Sequence, residues 1–86
     1  MYTSKINISI KKTILDPQGK AVEHSLKQLG FDSIKDTRIG KYIELNIDVE
    51  TVKEAEEISE QACRKLLSNP VMEEYSYEIS NHKADV

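Results

Sequence analysis

From position 38 to position 49 the chain reads Arg38-Ile-Gly-Lys-Tyr-Ile-Glu-Leu-Asn-Ile-Asp-Val49. Apolar and polar residues alternate strictly from Tyr42 onward, which predicts a strand with one face on a core and the other on water or a partner. Glycine tolerates the positive φ of a tight reversal, so Gly40 predicts a turn between this strand and a hairpin partner over residues 33–39. The rest of the chain is expected to cover one face of the resulting sheet.

Upstream of this stretch, alternating isoleucines predict a first strand over about residues 2–13. Asp16 is a plausible N-cap and Pro17 suits the first position of a helix that is expected to reach Leu29. Gly30 is then placed as the C-terminal cap of this helix. Gly19 lies in its first turn, where it indicates either a loose helix start or the close approach of another chain.

Downstream, Thr51 and Glu54 form a capping box that begins a second helix. Helical spacing of small and apolar residues predicts a buried stripe on this helix, made of Val52, Ala55, Ile58, Ala62 and Leu66. The dipeptide Asn69-Pro70 ends the helix, and a last strand is expected over residues 72–79.

The predicted order is strand, helix, strand, strand, helix, strand. This order indicates the α+β class, as a two-layer, ferredoxin-like βαββαβ sandwich with a four-stranded antiparallel sheet and both helices on one face. Residues 33–39 alternate poorly, which is typical of an edge strand. Residues 1–80 are expected to form a single domain, followed by a polar C-terminal tail at residues 81–86.

Composition narrows the class of function. The 86 residues carry a formal net charge of −3, which disfavours nucleic-acid binding because such proteins usually show a basic field. No apolar run is long enough for a membrane span. The single cysteine, Cys63, cannot form an internal disulfide, so a cytoplasmic location is expected. A chain this short has a small core, and a homodimer or a higher homo-oligomer is therefore predicted.

The side chains that usually carry catalysis are scattered. Cys63 is most simply a packing residue in the second helix, and the two histidines, His24 and His82, lie far apart in the sequence. Neither a metal-ligand spacing nor a phosphate-binding glycine loop is present. The chain is therefore expected to bind partners rather than to catalyse a reaction, using the polar outer face of its sheet or the sheet edges.

Three segments together resemble the PurS family, the small subunit of phosphoribosylformylglycinamidine (FGAM) synthase. They are Leu15-Asp-Pro-Gln-Gly19 with the helix that follows, Arg38-Ile-Gly-Lys-Tyr-Ile-Glu-Leu45, and Asn69-Pro-Val-Met-Glu-Glu-Tyr75. The resemblance covers nearly the whole chain up to about Ile79.

The resemblance implies a non-catalytic bridging subunit in purine biosynthesis. As a dimer it would join a large synthetase subunit (PurL) to a glutaminase subunit (PurQ) and assist ammonia transfer between them. It also implies that the partner subunits use ATP, Mg and glutamine, and that this chain binds no cofactor itself. The alternative interpretation is a ferredoxin-like regulatory domain that binds a small molecule at a dimer interface.

The motif residues of the family fall into two groups in this sequence. Five are interpreted as structural, at helix starts and turns: Asp16, Pro17, Gln18, Gly19 and Gly40. Three have no such explanation and are candidate subunit contacts: Arg38, Lys41 and Tyr42.

Overall fold

Three strands and two α-helices alternate along the chain in the computed structural model, which describes residues 1–81. They are β1 (Tyr2–Ile10), α1 (Pro17–Gln28), β2 (Gly40–Ile47), α2 (Val52–Ala62) and β3 (Glu73–Asn81). β1 is the central strand and pairs antiparallel with both neighbours, so the sheet order is β2-β1-β3. The α+β class is confirmed. The prediction of a four-stranded sheet is wrong, because the sheet has three strands within residues 1–81.

The register gives the sheet two different faces. Ile6 of β1 lies opposite Ile43 of β2 and Tyr77 of β3, and these three side chains share the face on which α2 packs. We call this the helix face. The other side, here called the open face, presents mostly polar side chains from all three strands: Thr3, Lys5, Asn7, Ser9, Tyr42, Glu44, Asn46, Glu74, Ser76, Glu78 and Ser80.

Residues 33–39 form no strand, which corrects the predicted hairpin. Their backbone N–H groups have other partners: Thr37 donates to a Glu23 carboxylate oxygen at 2.9 Å, and Ile39 donates to Asp16 at 2.7 Å. Asp36 has a φ of 55°, which breaks the extended conformation. The segment therefore returns along the base of α1 instead of pairing with β2.

Gly40 does not make the predicted turn, because it is the first residue of β2 and lies opposite Ser9 of β1. Glycine is needed there for a close approach, since a Cβ atom would lie 2.6 Å from the carbonyl oxygen of Ile8. The C-terminal cap at Gly30 is confirmed, with a φ of 97°. Two hydrogen bonds of a Schellman motif close this end of α1: Gly30 N–H to Lys27 O, and Phe31 N–H to Leu26 O.

The buried face of α2 consists of small residues, namely Ala55, Ser59 and the following Cys63. The Ser59 hydroxyl donates to the Ser4 hydroxyl of β1 at 2.7 Å, so helix and strand approach closely. The predicted stripe is correct at Ala55 but wrong at its large members, because Val52, Ile58 and Leu66 are exposed.

A π-helical turn at Cys63–Leu67 explains the largest of these errors. Ser68 N–H donates to Cys63 O at 3.0 Å, so this turn has one residue more than an α-helical turn. The extra residue rotates Leu67 onto the core and leaves Leu66 82% exposed.

The core itself is small and lies between α2 and the sheet. Ile6, Ile8 and Cys63 are its fully buried members. Among the described residues, α2 packs on β1 and β3, while α1 has no comparable contact with any strand. The prediction of two helices on one face is therefore wrong for a single chain.

Instead, α1 extends beyond the end of the sheet. A nine-residue strand is about 31 Å long and a 12-residue helix about 18 Å, and the longest dimension of the molecule, 50 Å, corresponds to the two placed end to end. The radius of gyration is 16.6 Å, whereas about 12 Å is expected of a compact chain of this length. A search of the described residues finds no helix with the length and hydropathy of a membrane span.

Candidate functional site

A carboxylate at the base of α1 holds the helix to the segment that enters β2. Asp16 is the N-cap of α1 and accepts hydrogen bonds from the N–H groups of Gly19, at 3.0 Å, and Ile39, at 2.7 Å. These donors hold the pKa of Asp16 below its usual value, so the carboxylate is charged at neutral pH. Glu23, about two turns further along α1, accepts a hydrogen bond from Thr37 N–H in the same way. We call Asp16, Gly19, Glu23, Thr37 and Ile39 the Asp16 cluster.

Gly19 is where α1 and the returning segment come closest. A Cβ atom there would collide with the carbonyl oxygen of Thr37 and lie 2.8 Å from Asp16 Oδ2. The close approach that the sequence left open is therefore real, and residues of the same chain make it. Pro17 occupies the first position of the helix, and Gln18 lines a shallow cavity beside Gly40.

Arg38 strengthens the same junction. Its guanidinium donates to the carbonyl oxygens of Ile14, at 2.8 Å, and Lys12, at 3.0 Å. The side chain also lies 3.4 Å from an Asp36 carboxylate oxygen and is only 30% exposed. The guanidinium thus ties the β1–α1 loop to the entrance of β2, which is a structural role that the sequence did not indicate.

The other two candidate contacts point in different directions. Lys41 lies opposite Ile8, and its amine is 3.4 Å from a Glu73 carboxylate oxygen. Tyr42 lies on the open face, 55% exposed, and donates to Glu44 at 2.8 Å. The structure therefore does not join Arg38, Lys41 and Tyr42 into one anchor, and the role of each as a subunit contact stays a prediction.

A cluster around Glu60 was not anticipated. Its carboxylate accepts hydrogen bonds from the hydroxyls of Tyr75 and, at 3.1 Å, Tyr77. Both bonds, together with Arg64 at 3.3 Å, favour the charged carboxylate and lower the pKa of Glu60. The shared face of Tyr75 and Tyr77 is visible in the sequence, but their common acceptor on α2 depends on how the helix packs.

Cys63 lies under this cluster and is fully buried. Burial raises the pKa of its thiol, and the nearby Glu60 charge raises it further, so the thiol stays protonated at neutral pH. His24 is exposed on α1, while His82 lies outside the described residues. Within residues 1–81, no group of three or more His, Cys, Asp or Glu side chains could hold a metal ion.

A group of exposed apolar side chains lies on α1 and its cap. Leu29 is 74% exposed, Phe31 52% and Val22 39%, while Leu26 between them is half-buried. Val22, Leu26 and Leu29 recur at helical spacing and so lie on one face of α1. This surface and the open face are two exposed surfaces of the chain.

Comparisons with known proteins give a consistent result. The sequence model of the PurS family, described as phosphoribosylformylglycinamidine (FGAM) synthase, matches residues 3–81. The phosphoribosylformylglycinamidine synthase subunit PurS of Bacillus subtilis is 42% identical over 79 residues, which are 92% of this chain and 93% of that protein. The PurS subunit of Synechocystis is 39% identical over the same share of this chain and 79% of its own length.

Solved structures of this kind also share the fold. Methanocaldococcus jannaschii PurS, described as a subunit of formylglycinamide ribonucleotide amidotransferase in the purine biosynthetic pathway, superposes with a TM-score of 0.86 and 31% identity, over 96% of this chain and 100% of that one. A chain of the Thermotoga maritima PurLQS structure gives a TM-score of 0.84 and 33% identity, over 92% and 96%.

Proposed function

The chain belongs to the PurS family of FGAM synthase subunits, and on that basis we propose that it is a non-catalytic bridging subunit in purine biosynthesis. It joins the ATP-dependent synthetase subunit (PurL) to the glutaminase subunit (PurQ). The observation that carries the proposal is the match of residues 3–81 to the family, supported by the similarity to a chain of a PurLQS assembly. The proposal includes assistance to ammonia transfer between the two partners.

The side chains of the chain fit this role. The Cys63 thiol is buried and protonated, and Asp16 and Glu23 are occupied by backbone donors. We therefore propose that the chain binds no cofactor, and that ATP, Mg and glutamine are used by the partner subunits. A buried free cysteine suits a reducing compartment, so we propose a cytoplasmic location.

We further propose that the functional form is a homodimer, in which a ferredoxin-like two-layer arrangement is completed between two chains. The accessible surface of 6368 Å² supports this, because a compact monomer of 9.8 kDa exposes about 5,200 Å². The open face, with Tyr42 on its edge strand β2, is the proposed docking surface for a partner subunit. Lys41 lies on the helix face of the same strand, where it is proposed as a separate subunit contact.

Reconstitution tests the bridging role. The purified chain is combined with synthetase and glutaminase subunits from the same source, and FGAM formation is measured with glutamine and with ammonium as nitrogen donor. We expect the glutamine-dependent reaction to require the chain, while the ammonia-dependent reaction requires it less. Equal rates with and without the chain would refute the bridging role. A thermal shift of the isolated chain with amino acids or nucleotides would instead favour the regulatory-domain alternative.

A further inference from the structure

We propose that a hollow on the open face receives an arginine side chain of the synthetase subunit (PurL). This inference rests on the proposed bridging function and deepens it by naming the site at which the partner is anchored. The hollow has a volume of about 320 Å³ and lies along the seam between β1 and β3. We call it the Glu74 hollow, and its lining residues are Asn7, Ser9, Glu74, Tyr75 and Ser76.

The strand register explains why the open face is low at this point. Ser9 of β1 lies opposite Glu74 of β3 on one side and Gly40 of β2 on the other. In the neighbouring row of the same face, Asn7 lies opposite Ser76. Neighbouring strands are about 4.8 Å apart, so side chains this small leave room between them for a side chain from another molecule. Gly40 contributes no side chain, so nothing from β2 stands above Ser9 in that row.

The polar atoms of the Glu74 hollow fit a guanidinium group. Glu74 supplies two carboxylate oxygens, and the Asn7 amide and the hydroxyls of Ser9 and Ser76 supply further acceptors. All four of these residues are exposed. The guanidinium of arginine is planar, always charged and rich in N–H donors, so it can bind a carboxylate with two parallel hydrogen bonds and still donate to neighbouring oxygens. A lysine ammonium acts as a point charge and matches this arrangement less well.

The Glu74 carboxylate is free to accept such a partner. The ion pairs within residues 1–81 use other carboxylates, namely Glu23, Asp36, Glu60 and Glu73. Lys5 and Lys11, which flank the hollow along β1, form none of these pairs. Lys5 lies in register between Glu44 and Glu78, and four residues of strand, about 14 Å, separate its row from that of Glu74. This distance exceeds the Debye length of about 8 Å at physiological salt.

The charge of the whole open face also favours a basic partner. Its strands place one lysine, Lys5, against three glutamates, Glu44, Glu74 and Glu78, which gives a net charge of −2. An apolar partner surface would leave these polar groups without hydrogen bonds, at a cost in free energy. A surface that carries arginine would satisfy them, and arginine is enriched among the residues that contribute most to binding.

The shape of the open face indicates the synthetase as the owner of the arginine. Strands of eight and nine residues make the face about 27–31 Å long, and three strands make it about 15 Å wide. A long, flat face buries enough area only against a broad surface, and the synthetase is the larger of the two proposed partners. A free cation of small size would stay hydrated in a hollow whose polar side chains are this exposed, whereas an arginine is held there by the contacts around it.

Removal of one charge supplies the first test. The full chain is titrated with purified synthetase subunit from the same source in a calorimeter, at low and at physiological salt. We expect Glu74→Gln to raise Kd roughly tenfold and to reduce its salt dependence. The control is Glu57→Gln, which removes the same charge from an exposed position of α2, on the other side of the sheet, and should leave Kd nearly unchanged. Equal effects of the two variants would overturn the proposal.

Filling the hollow supplies the second test. Ser76→Trp places a large side chain over the floor of the Glu74 hollow, at an exposed strand position where an aromatic residue is well tolerated. We expect Kd for the synthetase to rise roughly tenfold or more at both salt concentrations, with Tm within a few degrees of wild type. A Ser76→Trp chain that binds the synthetase as tightly as wild type would show that the hollow is not occupied in the complex.

A double-mutant cycle identifies the arginine. Exposed arginines of the synthetase are changed one at a time to glutamine and each variant is titrated with wild-type chain and with Glu74→Gln. We expect one arginine for which the two changes together weaken binding hardly more than either change alone. Strictly additive effects for every arginine, or a loss of glutaminase binding in place of synthetase binding, would refute the site. The reconstitution with glutamine and ammonium would still decide the bridging role.

Discussion

Gly19→Ala tests whether the junction at the base of α1 is as tight as the structure shows. The substitution adds a methyl group that would collide with the carbonyl oxygen of Thr37 and lie 2.8 Å from Asp16 Oδ2. The first of these atoms belongs to the backbone, so it cannot move away as a flexible side chain would. Helix and returning segment must separate for the methyl group to fit.

Two opposing effects set the magnitude. At an unobstructed helix position, replacing glycine by alanine stabilises the folded protein by about 0.5–1 kcal/mol. Here overpacking costs about 1–3 kcal/mol, and the strained N-cap at Asp16 adds up to about 1 kcal/mol. We therefore expect a net destabilisation of about 1–3 kcal/mol. In a chain of 86 residues, each kcal/mol corresponds to a shift in Tm of about 4–8 °C.

Thermal unfolding followed by circular dichroism measures this effect, at one fixed protein concentration because association also shifts Tm. Ser25→Ala is the matched control, since it changes helix propensity at an exposed position of the same helix. We expect Ser25→Ala to raise Tm slightly and Gly19→Ala to lower it. A rise in Tm for both variants would show that the contact with Thr37 is not tight.

Three further predictions concern other parts of the fold. Arg38→Ala should lower the free energy of unfolding, measured by chemical denaturation, by about 1–3 kcal/mol because it removes charge-assisted hydrogen bonds. Lys41 is exposed, so Lys41→Ala should change the same quantity by no more than about 0.5 kcal/mol. If the π-helical turn decides which leucine faces the core, Leu67→Ala should lower the free energy of unfolding by about 2 kcal/mol and Leu66→Ala by under 0.5 kcal/mol. Equal losses for the two variants in chemical denaturation would contradict this role of the turn. Hydrogen bonds from Tyr75 and Tyr77 lower the pKa of Glu60 in the folded state. The charged carboxylate therefore contributes fully to the free energy of unfolding at any pH above the pKa that Glu60 has in the unfolded chain. This contribution is lost as the pH falls through the lower pKa that Glu60 has in the folded chain. When the free energy of unfolding is measured from pH 6 to pH 3, it should therefore fall less for Glu60→Gln than for wild type. An equal fall for the two proteins would refute this prediction.

The features that the sequence predicted correctly depend on local chemistry. The strand centred on Ile43 follows from its alternation, and the caps at Asp16, Gly30 and Thr51 need only neighbouring backbone groups. Element ends shifted by a few residues; the first strand, for example, ends at Ile10 rather than near residue 13. The predicted tail at residues 81–86 lies outside the described residues except for Asn81, which ends β3.

The errors arise where distant groups compete for the same backbone. Residues 33–39 do not form the predicted strand because two of their N–H groups donate to carboxylates from earlier in the chain. Ile39 donates to Asp16 and Thr37 donates to Glu23. The extra residue of the π-helical turn has no signature in the helical spacing, so Leu66 was assigned to the core in place of Leu67. The position of α1 was missed because a hydrophobic stripe indicates that a helix has an apolar face and does not indicate which surface covers that face.

The sequence motif and the proposed homodimer are connected through geometry. Asp16, Gly19 and Gly40 are motif residues, and all three lie where α1 and the segment after it join the sheet. Arg38, which the sequence suggested as a contact, braces the same junction. A surface that meets a second copy in the proposed homodimer needs mainly to be apolar, which many side chains satisfy. The angle between α1 and the sheet, in contrast, depends on a few hydrogen bonds and on the close backbone approaches at Gly19 and Gly40. A change at this junction should therefore weaken dimer formation without altering any residue of the interface, and Gly19→Ala should lower dimer affinity as well as Tm.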